Sequence, residues 1–305
     1  MKLKPLDIAS TLASPPKMPE QVYPGLYAGS LGNLNAPGGT GKSFLALEFC
    51  IAMAAGLPPA GGVFPSSGDP AKAVMLAGEE TSPLVSQRLH AVVDSLTGSG
   101  QGELYGSTNR AELETLLQKN LVIYPFAGES ARLLNQNGTD TELLSELKKV
   151  CVGARLIVLD PLRRLHDGDE NDSGAMTRVV CRLESLAMAT GAAVIVVHHS
   201  SRAADLNGYG GSQHASRGST ALPDGVRWQA NLVGMSEKEA EVLQVRDDRR
   251  FYLSLVIPKA NYMPPFPAVW MRRQKGGVLV KVSDFDAVQT GQKGKGKPKR
   301  EWAHV

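Results

Sequence analysis

The sequence contains no long hydrophobic run and few cysteines, and each shortage excludes a class of protein. No apolar stretch in its 305 residues approaches the ~20 residues of a membrane-spanning helix. The N-terminal segment is interrupted by Pro15 and Pro16 and lacks the hydrophobic core of a signal peptide. Cys50, Cys151 and Cys181 stand in apolar segments at unrelated spacings. This predicts buried thiols, with neither a disulfide framework nor a zinc site. We therefore expect a cytoplasmic protein without a membrane partner.

Net charge is also scarce, and it is unevenly distributed. The formal net charge is +3, and residues 293–300, KGKGKPKR, carry five cations and no acid. Three minus five leaves −2 for the rest of the chain, so the folded body is not a strongly basic module. The Gly and Lys composition predicts a disordered tail. Two roles stay open for this tail: contact with nucleic acid or an acidic partner, or a merely solubilising end.

A Gly-rich turn between two apolar runs gives the strongest functional signal. Residues 36–43, APGGTGKS, match the phosphate-loop pattern of Gly, four residues and Gly-Lys-Ser, with Ala36 in place of the first Gly. Its glycines are expected to adopt positive φ, so that backbone N–H groups point at phosphate oxygens. We expect Lys42 to reach the β- and γ-phosphates of ATP, and the Ser43 hydroxyl to bind Mg²⁺. The predicted ATP-binding residues are Pro37, Gly38, Gly39, Thr40, Gly41, Lys42 and Ser43.

The rest of the chain alternates between strand-like and helix-like segments, which predicts an α/β fold. Strands are expected at 26–36, 71–78, 121–126, 154–160 and 192–200, and helices at 42–56, 82–96, 110–120, 139–153 and 173–191. Such alternation indicates a mostly parallel sheet flanked by helices. Beyond about residue 225, strands with short connections predict antiparallel additions at one edge. We expect an extended leader at 1–20, one ATPase domain at 21–283 and the basic tail at 284–305.

Three predicted strands end in polar residues, at the sheet edge where α/β proteins bind ligands. Asp160 ends an apolar strand and is expected to hold Mg²⁺ through water, opposite Ser43. Glu79 and Glu80 follow another strand, and a Glu there can orient the water that attacks ATP. Glu79 comes first and is preferred, although both acids also suit the start of a solvated helix. Of the adjacent His198 and His199, only one can face the site, and the other is expected to be a core residue.

Taken together, these motifs resemble a known family. The segments APGGTGKS, LAGEE, LIVLDPLRRLHD, VIVVHHSSR, QHASRGSTALPDGVRWQ and PKANY are similar to those of the RepA replicative helicases of broad-host-range plasmids, which are RecA-type, DnaB-like hexameric rings. The resemblance covers roughly residues 20–282. It implies a RecA-like P-loop core, ATP sites at subunit boundaries and single-stranded DNA in a central channel. It further implies that Glu79 activates water, Asp160 serves the metal and His199 senses the γ-phosphate.

The resemblance also implies a cation that each subunit donates to its neighbour's ATP. Arg227 is the first candidate for this arginine finger, and Arg217 and Lys259 are the alternatives. A guanidinium at that place would stabilise charge on the transferring phosphoryl group. Each candidate can equally be an ordinary surface cation.

Two loops are expected to face DNA in such a ring. In the loop after Asp160, only Arg163 and Arg164 are credible DNA contacts, since its other charges are acidic. In the loop after His199, Arg202 can contact phosphates and Tyr209 can stack on a base. The second loop can also be a plain surface excursion.

Three functions compete on this sequence. The first is an ATP-dependent helicase of plasmid replication that works as a homo-hexamer, with a plasmid initiator or a primase as a partner. The second is a RecA-like ATPase that acts as a nucleotide-gated assembly factor without unwinding. The third, a small-molecule kinase, is disfavoured because a water-activating Glu79 would waste ATP.

Overall fold

A computed structural model describes residues 3–98, 108–135, 138–200, 210–283 and 285. The helices up to residue 190 are Ile8–Ala13 (α1), Lys42–Ala55 (α2), Ser82–Leu96 (α3), Arg110–Asn120 (α4), Glu142–Val150 (α5) and Ser173–Thr190 (α6). The strands are Gln21–Tyr23 (β1), Leu26–Tyr27 (β2), Leu31–Ala36 (β3), Lys72–Ala77 (β4), Leu121–Pro125 (β5), Ala154–Asp160 (β6), Ala193–His199 (β7), Trp228–Gly234 (β8), Tyr252–Ala260 (β9), Val269–Arg273 (β10) and Leu279–Lys281 (β11). Two short helices occupy Ala221–Gly225 and Glu237–Val242.

Nine strands form one mixed sheet in the order β11-β10-β9-β8-β3-β7-β6-β4-β5. From β8 to β5 every neighbouring pair is parallel, and β9, β10 and β11 add antiparallel strands at one edge. The predicted fold class is therefore correct. The antiparallel part begins one strand later than expected, because β8 pairs parallel to β3, with Gly32 opposite Trp228.

Helices cover both faces of the sheet, and the central strands are buried on both sides. Along β6, Leu156 and Val158 pack towards α2 and α4, whereas Ile157 and Leu159 pack towards α5 and α6. This period of two explains why these strands read as continuous apolar runs rather than alternating ones. The polar carboxyl ends of β3, β4, β6 and β7 are consequently brought to the same edge.

Several local expectations need correction. The leader, predicted to be extended, contains helix α1. The Asp7 carboxylate caps this helix by accepting from the Ser10 N–H, and none of the helix residues is buried. Helix α5 begins at Glu142 rather than at residue 139, because the Thr141 hydroxyl accepts from the Leu144 N–H and caps the helix there. Cys181 is exposed on α6, while the other two thiols are buried as expected.

The described helices also bear on the expectation about membranes. Within the described ranges, none combines the length and the apolar character that crossing a bilayer requires.

Candidate nucleotide site

The loop at 36–43 leaves β3 and enters α2, as the phosphate-loop motif predicts. Gly39 and Gly41 have φ of 74° and 102°, and the Thr40 hydroxyl donates to the Pro37 carbonyl at 2.9 Å. Gly38, expected to share the positive φ, does not. In a turn from Pro37 to Thr40 the positive φ belongs to the third residue, which is Gly39. The loop thus delivers its N–H groups to the start of a 14-residue helix, a natural anion site.

Lys42 is the first residue of α2 and its side chain lies within the site. It is 8% exposed. Burial lowers the pKa of its ammonium, while the nearby carboxylates of Asp160 and Glu79 raise it. A cation that is removed from water and faces two carboxylates suits the binding of a further anion, such as a phosphate chain.

Ser43 and Asp160, the two predicted Mg²⁺ ligands, are in direct contact. The Ser43 hydroxyl hydrogen-bonds to the Asp160 carboxyl. Burial raises the pKa of Asp160 to about 6, and the bond from Ser43 and the charge of Lys42 oppose that rise. A hydroxyl and a carboxylate are the hard oxygen ligands that Mg²⁺ prefers. Among the described residues, no three His, Cys, Asp or Glu side chains converge as a metal site made by protein alone.

The two acids after β4 have different surroundings, and these favour Glu79 as the water-activating group. Glu80 forms an ion pair with Arg88 of α3 at 2.6 Å. Glu79 is half-exposed, and its Oε1 lies 3.5 Å from Nε of Arg164. The Gly78 N–H donates to the Asp160 carbonyl at 2.6 Å, which ties the Glu79 turn to the end of β6.

The two histidines at the end of β7 have the divided environments that strand geometry predicts. His198 is 1% exposed, and its Nε2 lies 2.9 Å from the Arg217 carbonyl. His199 is partly buried. Burial, and after it the charge of Lys42, lower the pKa of His199, so its ring is neutral near pH 7. The charge of Lys42 acts on both rings, and that of Glu79 acts on His199.

Of the three finger candidates, Arg227 and Lys259 lie together near the start of β8, and Arg217 lies near the end of β7. Arg227 is exposed and precedes β8, and its N–H donates to the carbonyl of Leu31, the first residue of β3. A strand of this length spans about 16 Å, so Arg227 lies far from the phosphate loop of its own subunit. The Lys259 ammonium binds the Pro223 and Asp224 carbonyls at 2.7 and 3.0 Å.

Arg217 differs from Arg227 and Lys259 because it lies at the carboxyl end of the parallel strands, on the same side as the nucleotide site of its own subunit. Its N–H donates to the His199 carbonyl at 2.9 Å, and its Nε is 3.9 Å from the Glu170 carboxylate. Arg227 and Lys259 therefore lie away from the phosphate loop of their own subunit, and the Lys259 ammonium is already bound to carbonyls of its own chain.

The candidate DNA contacts are only partly described. Arg163 and Arg164 are exposed on the turn after β6, and Arg164 faces Glu79 at the nucleotide site. Two acids of that loop make contacts within the chain: Asp167 forms an ion pair with Arg132 at 2.7 Å, and Asp172 caps α6. The second set, Arg202 and Tyr209, lies outside the described residues.

A row of five buried polar side chains lies under residues 210–213, and sequence reasoning had named only His198 among them. Its members are Asn33, Asn35, His198, Gln229 and Asn231, on adjacent strands β3, β7 and β8 and at most 1% exposed. Asn231 donates to the carbonyls of Gly210 and Ser212, and Gln229 to that of Gln213. Both side-chain polar atoms of Asn35 lack a hydrogen-bond partner within the described residues. Polar residues at alternate positions of an apolar strand, as in LGNLNA, were the available signal.

A second missed residue is Arg273, the last residue of β10. Its Nη2 donates to the carbonyls of Gly39 and Thr40 at 3.0 and 2.5 Å. Nothing near residue 273 in the sequence signals a contact with a loop more than two hundred positions away.

Comparison with known proteins agrees with this architecture. The family model AAA_25, described as an AAA domain, matches residues 1–205. One solved structure, of an ATPase domain, is 15% identical with a TM-score of 0.57, over 84% of this chain and 86% of that one. A second solved structure, of a DnaB-like replicative helicase and its interactions with primase, is 15% identical with a TM-score of 0.58. That match covers 83% of this chain and 59% of the helicase. At such identity the likeness concerns the fold, and it confirms the predicted RecA-like core.

Proposed function

Since this chain belongs to the AAA_25 family of AAA domains, we propose that it is an ATP-dependent DNA helicase that works as a homo-hexameric ring. The observation that carries the proposal is the division of the site between the two ends of the sheet. Lys42, Ser43, Asp160 and Glu79 gather at one end, and the exposed Arg227 lies at the other. An arginine that cannot reach its own phosphate loop can complete the loop of a neighbour. ATP hydrolysis would then depend on the contact between subunits.

Each residue near the phosphate loop has a proposed task in hydrolysis. The loop N–H groups and Lys42 bind the phosphates, and Glu79 accepts a proton from the attacking water. Ser43 and Asp160 would hold Mg²⁺, which neutralises charge on the phosphates when bound. His199 carries the presence of the γ-phosphate to the segment that follows β7.

The link to DNA rests on the same strand ends. The loops after Asp160 and His199 begin where the nucleotide binds, so a change at the γ-phosphate can move them. The folded body has little positive charge, and we expect a single subunit to bind DNA weakly. Six copies of Arg163, Arg202 and Tyr209 around one channel would bind a single strand through multivalency. Replication of a plasmid is the proposed setting. A primase is a proposed partner, because the DnaB-like structural neighbour interacts with one, and a plasmid initiator is another.

The test is strand displacement on a duplex with a single-stranded tail, with ATP, beside the measured oligomeric state. We expect hexamers, ATP hydrolysis stimulated by single strands, and displacement that the Glu79→Gln variant lacks. Hexamers with DNA-stimulated hydrolysis but no displacement on either tail polarity would replace the helicase with the nucleotide-gated assembly factor. A monomer whose hydrolysis ignores single-stranded DNA would overturn the helicase and leave the nucleotide-gated factor.

A further inference from the structure

Arg273 connects the antiparallel edge of the sheet to the phosphate loop. One nitrogen of its guanidinium, Nη2, bridges two successive carbonyls, those of Gly39 and Thr40. A Cβ built on Gly41 would lie 3.4 Å from the same nitrogen. The guanidinium therefore packs against the backbone of the loop over three consecutive residues.

The two carbonyls that Arg273 binds determine where two N–H groups point. In a trans peptide, the carbonyl and the N–H of the following residue point in opposite directions. The bond to the Gly39 carbonyl therefore orients the Thr40 N–H, and the bond to the Thr40 carbonyl orients the Gly41 N–H. In a phosphate loop, such N–H groups bind the phosphate oxygens. Glycines on both sides of Thr40 leave this backbone otherwise free to rotate.

The segment from β10 to β11 also contacts α2. These contacts fix the position of the strand that carries Arg273. The Leu279 N–H donates to the buried carboxyl of Glu48 at 2.8 Å. Gly277 lies against the ring of Phe44, where a Cβ would approach to 2.6 Å. The other side of this cluster is closed by Arg88, whose guanidinium lies 5.0 Å from the Phe44 ring centre.

We infer that Arg273 is a positioning residue for nucleotide binding, which fixes the peptide planes of the phosphate loop before the nucleotide arrives. Binding then costs less ordering of the loop, and affinity rises. The inference rests on the proposed nucleotide site and assigns to the β10–β11 turn a part in it.

The test measures the Kd of the intact chain for fluorescently labelled MgADP, together with the melting temperature of each variant. Arg273→Ala removes two charge-assisted hydrogen bonds and should raise the Kd by roughly ten- to a hundredfold. Arg273→Lys should recover most of the affinity, because an ammonium can also bridge two carbonyls.

Arg272→Ala is the matched control. Arg272 is the preceding residue of β10, and it pairs with Asp248 at 3.6 Å and lies over the ring of Tyr252. Its loss removes a similar side chain from the same strand without touching the loop. We expect an unchanged Kd for this variant.

The outcomes separate this inference from the proposed site itself. An unchanged Kd in Arg273→Ala, while Lys42→Ala binds weakly, would overturn the positioning role alone. An unchanged Kd in Lys42→Ala as well would overturn the nucleotide site. If Arg273→Ala does not fold, Arg273→Gln, which keeps a donor and loses the charge, is judged by the same criterion.

Discussion

Nε of Arg164 lies 3.5 Å from Oε1 of Glu79, so the turns that follow β6 and β4 meet above the end of the sheet. Glu79 also lies near Lys42 and Asp160, since its charge acts on the pKa of both. We predict that Glu79→Gln keeps nucleotide binding within a few-fold and lowers kcat by about 10²–10⁴. The reason is that the amide cannot accept a proton from water. Phosphate release and MgADP titration on one preparation measure the two effects.

Glu80→Gln is the control for that prediction. Its carboxylate is already paired with Arg88 at 2.6 Å, so turnover should stay within a few-fold of the wild type. If Glu79→Gln is fully active while Glu80→Gln is inactive, the catalytic task belongs to Glu80.

Lys42→Ala should abolish ATP hydrolysis and weaken nucleotide binding while the protein stays folded. Burial lowers the pKa of Lys42, so a charged Lys42 ammonium at neutral pH destabilises the folded state. Alanine removes that cost, and we expect a melting temperature no lower than that of the wild type. Differential scanning calorimetry and MgADP titration check both parts. Hydrolysis near the wild-type rate would contradict the phosphate-loop assignment.

Arg227→Ala should reduce hydrolysis by about 10³ without weakening MgADP binding by the same subunit. Mixing this variant with Lys42→Ala creates some boundaries with an intact loop and an intact arginine. We therefore expect activity in the mixture that neither variant has alone. Failure to recover any activity, in mixed rings verified by mass, would exclude donation between subunits.

Lys259→Ala distinguishes a finger from a structural cation. The Lys259 ammonium holds the Pro223 and Asp224 carbonyls, so its loss should lower the melting temperature. When Lys259→Ala is mixed with Lys42→Ala, we expect no gain in hydrolysis, because Lys259 is not the donated cation. Recovery with Lys259→Ala, and none with Arg227→Ala, would reassign the finger.

Asp160 gives a prediction about pH. Its pKa is 3.8 unfolded and about 6 when folded. The folded state therefore binds the proton more tightly, and stability falls as pH rises from 4 through 6. Above pH 6 the buried charge costs at most about 3 kcal/mol. Asp160→Asn should be inactive yet melt higher than the wild type at pH 8, with a smaller difference at pH 5. Equal differences at both pH values would contradict this prediction.

Local signals in the sequence predicted most of the fold and the core of the site. The phosphate loop is contiguous, and the helices that end at Gly56 and Gly191 do so because both glycines adopt positive φ. The site residues at strand ends followed from the rule for parallel sheets. The contact of Arg273 with the phosphate loop could not be predicted from the sequence, since it depends on how a distant strand packs. The positive φ predicted for the loop glycines was correct for Gly39 and Gly41 and wrong for Gly38, because the glycine pattern does not show which residue takes the left-handed position of the turn.

The row of buried polar side chains across β3, β7 and β8 also affects how the sheet opens. Asn33 and Asn35 occupy interior positions that an apolar residue would stabilise more, and Asn35 gains no hydrogen bond from the described residues in return. The apolar Leu31 lies at the other end of the same strand. Backbone amide protons near Asn35 should therefore exchange with deuterated water faster than those near Leu31. Bound nucleotide should slow exchange at the carboxyl end and leave the amino end unchanged.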